Sequence, residues 1–296
     1  MEAHAALLTL HGERTEEHAI MLSARGKSRR DKSVCHFPPL RVEFVEKPGE
    51  DSFFDGQKRL KLVTHCKSSK RYQQYYLREY AAYKLFNVLT PLSLKVRLAR
   101  IDYIDSDKNK LVISRLGFFI EDADDAAKRN GLKEIDTPDI ISDQLNPEAA
   151  ARYTVFQYMI GNLDWSMIDG PEGDDCCHNT KLLGNDAKPY ADLAPVPYDF
   201  DYSGFVNAPY ALPPEGVDVH SVRKRYYRGL CKHNQEALKQ AQRFLESRDA
   251  LMRTVEIVAE MGEREKRATL RYLDVFFKDI ADDERVRRRL LKTCRD

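Results

Sequence analysis

The chain has 296 residues, enough for one large domain or two lobes with a sizeable buried core. It is 42% hydrophobic and 32% charged, which excludes wholesale disorder, and its 48 Lys and Arg nearly cancel its 47 Asp and Glu. No global basic field is left to hold nucleic acid, and no apolar run approaches the roughly 18–20 residues that cross a bilayer.

Residues 1–34 are polar, carry the basic cluster Arg25–Lys32, and read as a flexible N-terminal arm with one short helix. No signal peptide is visible, because the apolar run Ala5–Leu10 is short and charges follow it closely. A trimmed chain would look the same, so an exported and a cytoplasmic protein both stay open.

From Leu40 to Val45 and from Leu60 to His65, apolar and polar residues alternate with strand periodicity; Pro48, Gly49 and Gly56 mark a loop between them. A helix is expected over Lys70–Leu89, where Leu77, Ala81, Leu85 and Val88 supply the stripe that buries one face and Thr90-Pro91 ends the pattern. Two further strands follow, near Leu94–Ile104 and Leu111–Ile120, with a polar turn between them. Their connections are too short for helical crossovers, so the sheet is mainly antiparallel.

Beyond Glu121 helices dominate. Ala123–Gly131 reads as a short helix closed by Gly131. Asn146-Pro147-Glu148 supplies an N-cap, a first-turn Pro and an early acid for an apolar helix that ends at Gly161. More helices are expected near Gln235–Glu246, Ala250–Met261, Glu263–Ile280 and Asp283–Thr293. The organisation is therefore α+β: an arm over 1–34, a small strand-rich lobe over 35–121, and a larger, mostly helical lobe over 122–296.

Within this frame a set of polar residues occurs in a definite order. Lys61 stands on a strand and Glu79 on the next helix; Asp164 directly follows the apolar helix; Asn179 precedes the strand-like run Thr180–Leu183; Asp199 and Asp201 close a short extended segment. Kinase-like phosphotransferases present a phosphate-binding Lys and its Glu, a base-like Asp, a metal-binding Asn and a metal-binding Asp in that order. Phosphoryl transfer needs positioning and charge neutralisation, and hard divalent cations prefer carboxylate and amide oxygens. Taken singly, each residue also has an ordinary reading: Lys61 and Glu79 as surface charges, Asp164 and Asn179 as turn residues. Cys176-Cys177-His178 could suggest zinc, but the other potential ligands lack C-x-x-C or H-x-x-x-H spacing.

The stretches Leu60-Lys61-Leu62, Leu77-Arg78-Glu79-Tyr80-Ala81, Gly161-Asn162-Leu163-Asp164, His178-Asn179 and Pro197-Tyr198-Asp199-Phe200-Asp201 together resemble the CotH-like spore-coat kinases, related to HipA-like atypical protein kinases. The resemblance runs over residues 42–210 as a pattern of short motifs. It implies a two-lobed protein-kinase-like fold, ATP with Mg²⁺ or Mn²⁺, and phosphate transfer to a hydroxyl, first of all that of a protein Ser or Thr. On that pattern Asp164 is the catalytic Asp, Lys61 contacts phosphates, Glu79 holds Lys61, and Asn179 and Asp199 bind metal. Asp201 is then an auxiliary ligand or a structural acid. Three other readings stay open: a small-molecule or sugar phosphotransferase of the same fold, a catalytically inactive pseudokinase-like binding protein, and a helical interaction protein in which the motifs are coincidental.

Three features depart from the pattern. No G-x-G-x-x-G loop joins the first two expected strands; Asp-Phe-Asp stands in place of Asp-Phe-Gly; and the Asp164–Asn179 interval holds the acidic insert Asp169–Asp175, readable as a lid, a cation site or a solvated loop. Some members of the family are exported, which makes disulfides plausible among Cys35, Cys66, Cys176, Cys177, Cys231 and Cys294. Cys35–Cys66, flanking two neighbouring strands, is the first pairing expected, and Cys177–Cys231 the second.

Overall fold

The structure, a computed structural model, describes residues 2–26, 28–171, 173 and 175–295. Among these the chain forms nine strands and seven α-helices, an α+β composition. It divides into two compact units: one runs to Tyr76 and again over Leu94–Ala126, the other takes Leu77–Ser93 and everything from Ala127 onward.

The first unit is a six-stranded sheet of β1 (Ala3–His11), β2 (Thr15–Ala24), β3 (Leu40–Phe44), β4 (Arg59–Val63), β5 (Val96–Asp105) and β6 (Lys110–Ile120). Its order is β1-β2-β3-β4-β6-β5, and every neighbouring pair is antiparallel. Helix α1 (Lys70–Leu89) separates β4 from the β5–β6 hairpin, which returns with β6 beside β4. Val42, Phe44, Leu60 and Leu62, the inward members of their alternating strands, form the core together with Ile20 and Phe54.

The N-terminal arm expected over 1–34 is corrected here: residues 3–24 are β1 and β2, two strands of this sheet. Ile20 is 3% exposed, and Leu8 and Leu10 pack on the same core. The polar residues that made the segment read as solvated have partners in the fold. Glu16 accepts hydrogen bonds from the Ser52 hydroxyl (2.7 Å) and the Phe53 amide (3.0 Å), both on the β3–β4 loop. His18 stands edge-on to Phe44 and Phe54, with ring centroids 5.5 and 5.7 Å away. Cys35 and Cys66 are disulfide-bonded, as expected, across the segments that flank β3 and β4.

In the second unit, Leu77, Ala81 and Leu85 of α1 are fully buried as the stripe requires, whereas Val88, its expected fourth member near the helix end, is 41% exposed. The aromatic ring of Phe86 lies 4.7 Å from that of Phe156 on α3 (Pro147–Ile160), so most of α1 belongs with α3 rather than with the sheet as the sequence suggested. Asn146 caps α3 by accepting from the Ala149 amide at 2.7 Å. The short helix α2 (Ala123–Arg129) is followed by Gly131 at φ +69°, in the left-handed region expected of a closing Gly.

A three-stranded antiparallel sheet, β7 (Lys133–Ile135), β8 (Thr180–Gly184) and β9 (Ala194–Pro197), packs Ile135, Leu182 and Leu193 against Tyr153 and Trp165. Helices α4 (Asn234–Glu246), α5 (Arg248–Glu256), α6 (Glu263–Asp279) and α7 (Asp283–Arg289) complete the unit. The expected Cys177–Cys231 bond is not formed. Cys231 pairs with Cys294, whose segment also bridges to it through the backbone, and Cys176 pairs with its neighbour Cys177. No described helix is long and apolar enough to cross a membrane.

Candidate functional site

The loop that carries Asp164 is built by the end of α3. Gly161 takes φ +62° and returns its N–H to the carbonyls of Gln157 and Tyr158, so the chain leaves the helix in a tight left-handed turn. The buried Asn162 accepts the Asp164 amide on its Oδ1 at 3.1 Å, and its carbonyl accepts the Trp165 indole N–H at 2.9 Å. Trp165, in turn, stands edge-on to Tyr153 of α3 at 5.1 Å. The backbone around Asp164 is thus fixed while its side chain stays 34% exposed.

Behind this loop lies Arg228, which donates to the Leu163 carbonyl and sits 5.0 Å above the Trp165 ring. Burial, with Arg295 nearby as a second cause, pushes the Arg228 guanidinium down to about 10. Desolvation here opposes the attraction of Tyr153 and Asp164, so a cation is kept beside Asp164 at some electrostatic cost.

Asp164 meets both residues of the His178-Asn179 pair. The Asn179 amide nitrogen donates to the Asp164 carbonyl at 2.7 Å and to its Oδ2 at 3.0 Å; His178 Nε2 lies 2.7 Å from Oδ1. Because Asn179 spends its N–H groups on Asp164, its Oδ1 is the atom left to meet a cation. The intervening segment loops out and is drawn back by backbone bonds from Ser166 N–H to the His178 carbonyl and from His178 N–H to that of Asp169, each 3.0 Å. Of the acidic insert, Glu172 and Asp174 lie outside the described residues.

After β9 the chain reaches Asp199 and Asp201. Phe200 between them is fully buried against Tyr83 (4.5 Å) and Phe156 (5.5 Å). The Tyr83 hydroxyl also accepts the Asp199 amide at 2.9 Å. Asp199 has φ +59°, so the segment is not extended and the alternation that would aim both acids at one cation does not apply. Asp201 is 4% exposed and accepts from the Tyr210 hydroxyl at 3.0 Å, the environment of a structural acid. Asp199 is the half-buried member of the pair.

Glu79 is 2% exposed on α1, which removes its reading as a surface acid. Lys61 belongs to the other unit, half-buried at the centre of β4 and opposite Arg41 and Ile120 in register. Leu163, Tyr202, Leu212, Pro213, Pro214 and Val222 line a small, narrow crevice beside Asp164. No three His, Cys, Asp or Glu side chains gather as a metal-ligand set among the described residues. A Mg²⁺ completed by nucleotide phosphates needs only one or two carboxylates with an amide, and Asn179 and Asp199 are of that type.

Sequence reasoning gave His178 no role beyond its place in the motif and the discounted zinc reading with Cys176-Cys177, and it missed Arg228, Tyr83 and Tyr210. Arg228 touches a carbonyl 65 positions away, for which no local spacing rule exists. The adjacency His178-Asn179 was the one available signal. Comparison of the chain with protein-family models and with curated proteins finds no match.

Proposed function

We propose that the protein is an atypical kinase that transfers the γ-phosphate of ATP to a hydroxyl, first of all that of a protein Ser or Thr, using a two-lobed kinase-like fold. The single observation that carries the reading is the clamp on Asp164. An acid that the sequence order marks as base-like is held at its main-chain carbonyl and at Oδ2 by the residue marked as metal-binding, fifteen positions away, with its carboxylate still open to solvent. A structural turn acid does not need a second motif residue to fix it.

In this reading Asp164 receives and orients the acceptor hydroxyl, Asn179 through Oδ1 and Asp199 hold Mg²⁺ or Mn²⁺, and Asp201 braces the loop through Tyr210. The phosphate cation is assigned to Lys61 and the acid that steadies it to Glu79. The metal, when bound, neutralises charge on the phosphate oxygens. Rigid placement of Asp199 follows from burial of Phe200 between the Tyr83 and Phe156 rings.

The test is transfer of labelled γ-phosphate from ATP, with Mg²⁺ or Mn²⁺, to Ser/Thr-containing protein acceptors and to sugars. The wild type should label a protein acceptor, and Asp164→Ala and Asp199→Ala should each lose transfer with little change in melting temperature. Labelling of sugars alone would select the small-molecule reading; nucleotide binding without any transfer would select the inactive one.

A further inference from the structure

Asp164 is held from two sides by different chemistry. Asn179 bonds Oδ2 and the main-chain carbonyl; Oδ1 is taken by His178 Nε2 at 2.7 Å. A carboxylate only accepts, so the proton in this contact sits on Nε2. The two side chains are 35% and 34% exposed, and neither belongs to a packed core. Exposed pairs of this kind contribute little to folding. A contact this short, between groups that gain little stability from it, has its main effect on where the Asp164 oxygens point.

The backbone on both sides supports the same geometry. The His178 carbonyl accepts from the Ser166 amide at 3.0 Å and from the Thr180 hydroxyl at 3.1 Å. The Thr180 hydroxyl is in turn 2.6 Å from the Tyr153 hydroxyl inside α3. The backbone that carries the imidazole is therefore tied, through Thr180, to the helix that delivers Asp164.

We propose that His178 is a positioning residue for Asp164, its Nε2–H fixing Oδ1 so that the remaining lone pairs of the carboxylate face the acceptor hydroxyl. The inference rests on the phosphotransferase reading and adds to it a residue that acts through Asp164 without touching substrate. Loss of the imidazole lets the carboxylate rotate, and misplacement of about 1 Å at a reacting group costs on the order of 10²-fold in rate. Nucleotide binding does not pass through this contact.

The experiment compares wild type, His178→Ala and His178→Gln in steady-state transfer, with ¹⁵N-imidazole NMR of the wild type and Asp164→Ala. His178→Ala should lower kcat by roughly 10- to 100-fold while KM for ATP stays within about 2-fold. His178→Gln, whose amide N–H can reach the same oxygen, should recover most of the loss. NMR should place the proton on Nε2 in the wild type, a preference that Asp164→Ala removes. Near-wild-type kcat in His178→Ala, or a His178→Gln variant as slow as His178→Ala with unchanged melting temperature, would overturn the inference and leave the kinase reading standing. A wild type without transfer overturns the reading and the catalytic use of His178 together. The NMR preference distinguishes that case, because the Asp164–His178 contact would still be present.

Discussion

Gly161 is the residue whose replacement most directly tests how the Asp164 loop is held. At φ +62°, any L side chain costs roughly 1–2 kcal/mol in conformation alone. A Cβ there would also lie 2.2 Å from the Tyr272 hydroxyl oxygen and 3.5 Å from the Val222 carbonyl. The tyrosine has little freedom to retreat: its ring is buried and lies under the Arg225 guanidinium at 3.9 Å. On the other side, a Cβ on Gly204 would meet the same hydroxyl at 2.6 Å, so the two glycines form one notch around it. Overpacking of this kind costs about 1–3 kcal/mol, which places Gly161→Ala at roughly 2–5 kcal/mol of destabilisation. Gly131 provides the control: it has φ +69°, a Cβ there would meet nothing within 4 Å, and Gly131→Ala should lose only the conformational part. Urea unfolding of the two variants reads the difference as a shift in midpoint, with Gly161→Ala roughly 1 M or more below wild type. Equal midpoints for Gly131→Ala and Gly161→Ala would show that Tyr272 yields and that the notch does not fix the loop.

Three further outcomes follow from the same geometry. The Ser52 hydroxyl first, then the Phe53 amide, His18 and Arg14, hold the Glu16 carboxyl at about 2, below its ordinary 4.5, against an opposing desolvation. A depressed carboxyl contributes stability above its unfolded value and loses it on acidification. Amide-exchange protection at Phe53 should therefore fall as the pH drops from about 4.5 towards 2, and Glu16→Gln should abolish that dependence; a wild-type protection flat across this window contradicts the anchor. The Cys231–Cys294 bond spans 63 positions and, on chain-entropy grounds, contributes about 4 kcal/mol, so the double Ser variant should unfold at clearly lower urea; an unchanged midpoint contradicts that estimate. Replacing Arg228 with Leu should remove the Leu163 carbonyl contact and quench or shift the emission of Trp165, the sole Trp, while an unaltered spectrum would show that the guanidinium does not govern that ring.

The sequence was most legible where local rules act alone. The α3 boundaries follow from Asn146, Pro147 and Gly161, residues whose cap and turn preferences need no tertiary partner. Helix α1 follows from the spacing of Leu77, Ala81 and Leu85. Strands β1 and β2 were hidden because Glu16 and His18 occupy inward positions of β2, where the strongest partners of Glu16 come from the distant β3–β4 loop and His18 packs on Phe44 and Phe54. Strand β7 is three residues long and shows no alternation of its own; β8 supplies its partner groups 47 or more positions later.

At the candidate site the residue types and their order were readable, whereas the geometry was not. That Asn179 would donate to Asp164, or that Asp201 would turn inward to Tyr210, depends on the left-handed backbone at Asn179 and Asp199, which no spacing announces. The pairing of Cys231 with Cys294 was equally hidden, because it depends on the C-terminal segment running beside Leu230 and Cys231.

The most direct test of the central claim is a thermal-shift titration with ATP, with and without Mg²⁺ or Mn²⁺, on wild type and Asp199→Ala. A ligand that binds only the native state raises its apparent stability, by about 2.7 kcal/mol at a hundred times its Kd. A nucleotide site that uses Asn179 and Asp199 predicts a metal-dependent rise in the wild type that Asp199→Ala loses. A folded wild type whose melting temperature does not respond to any nucleotide, with either metal, would contradict it.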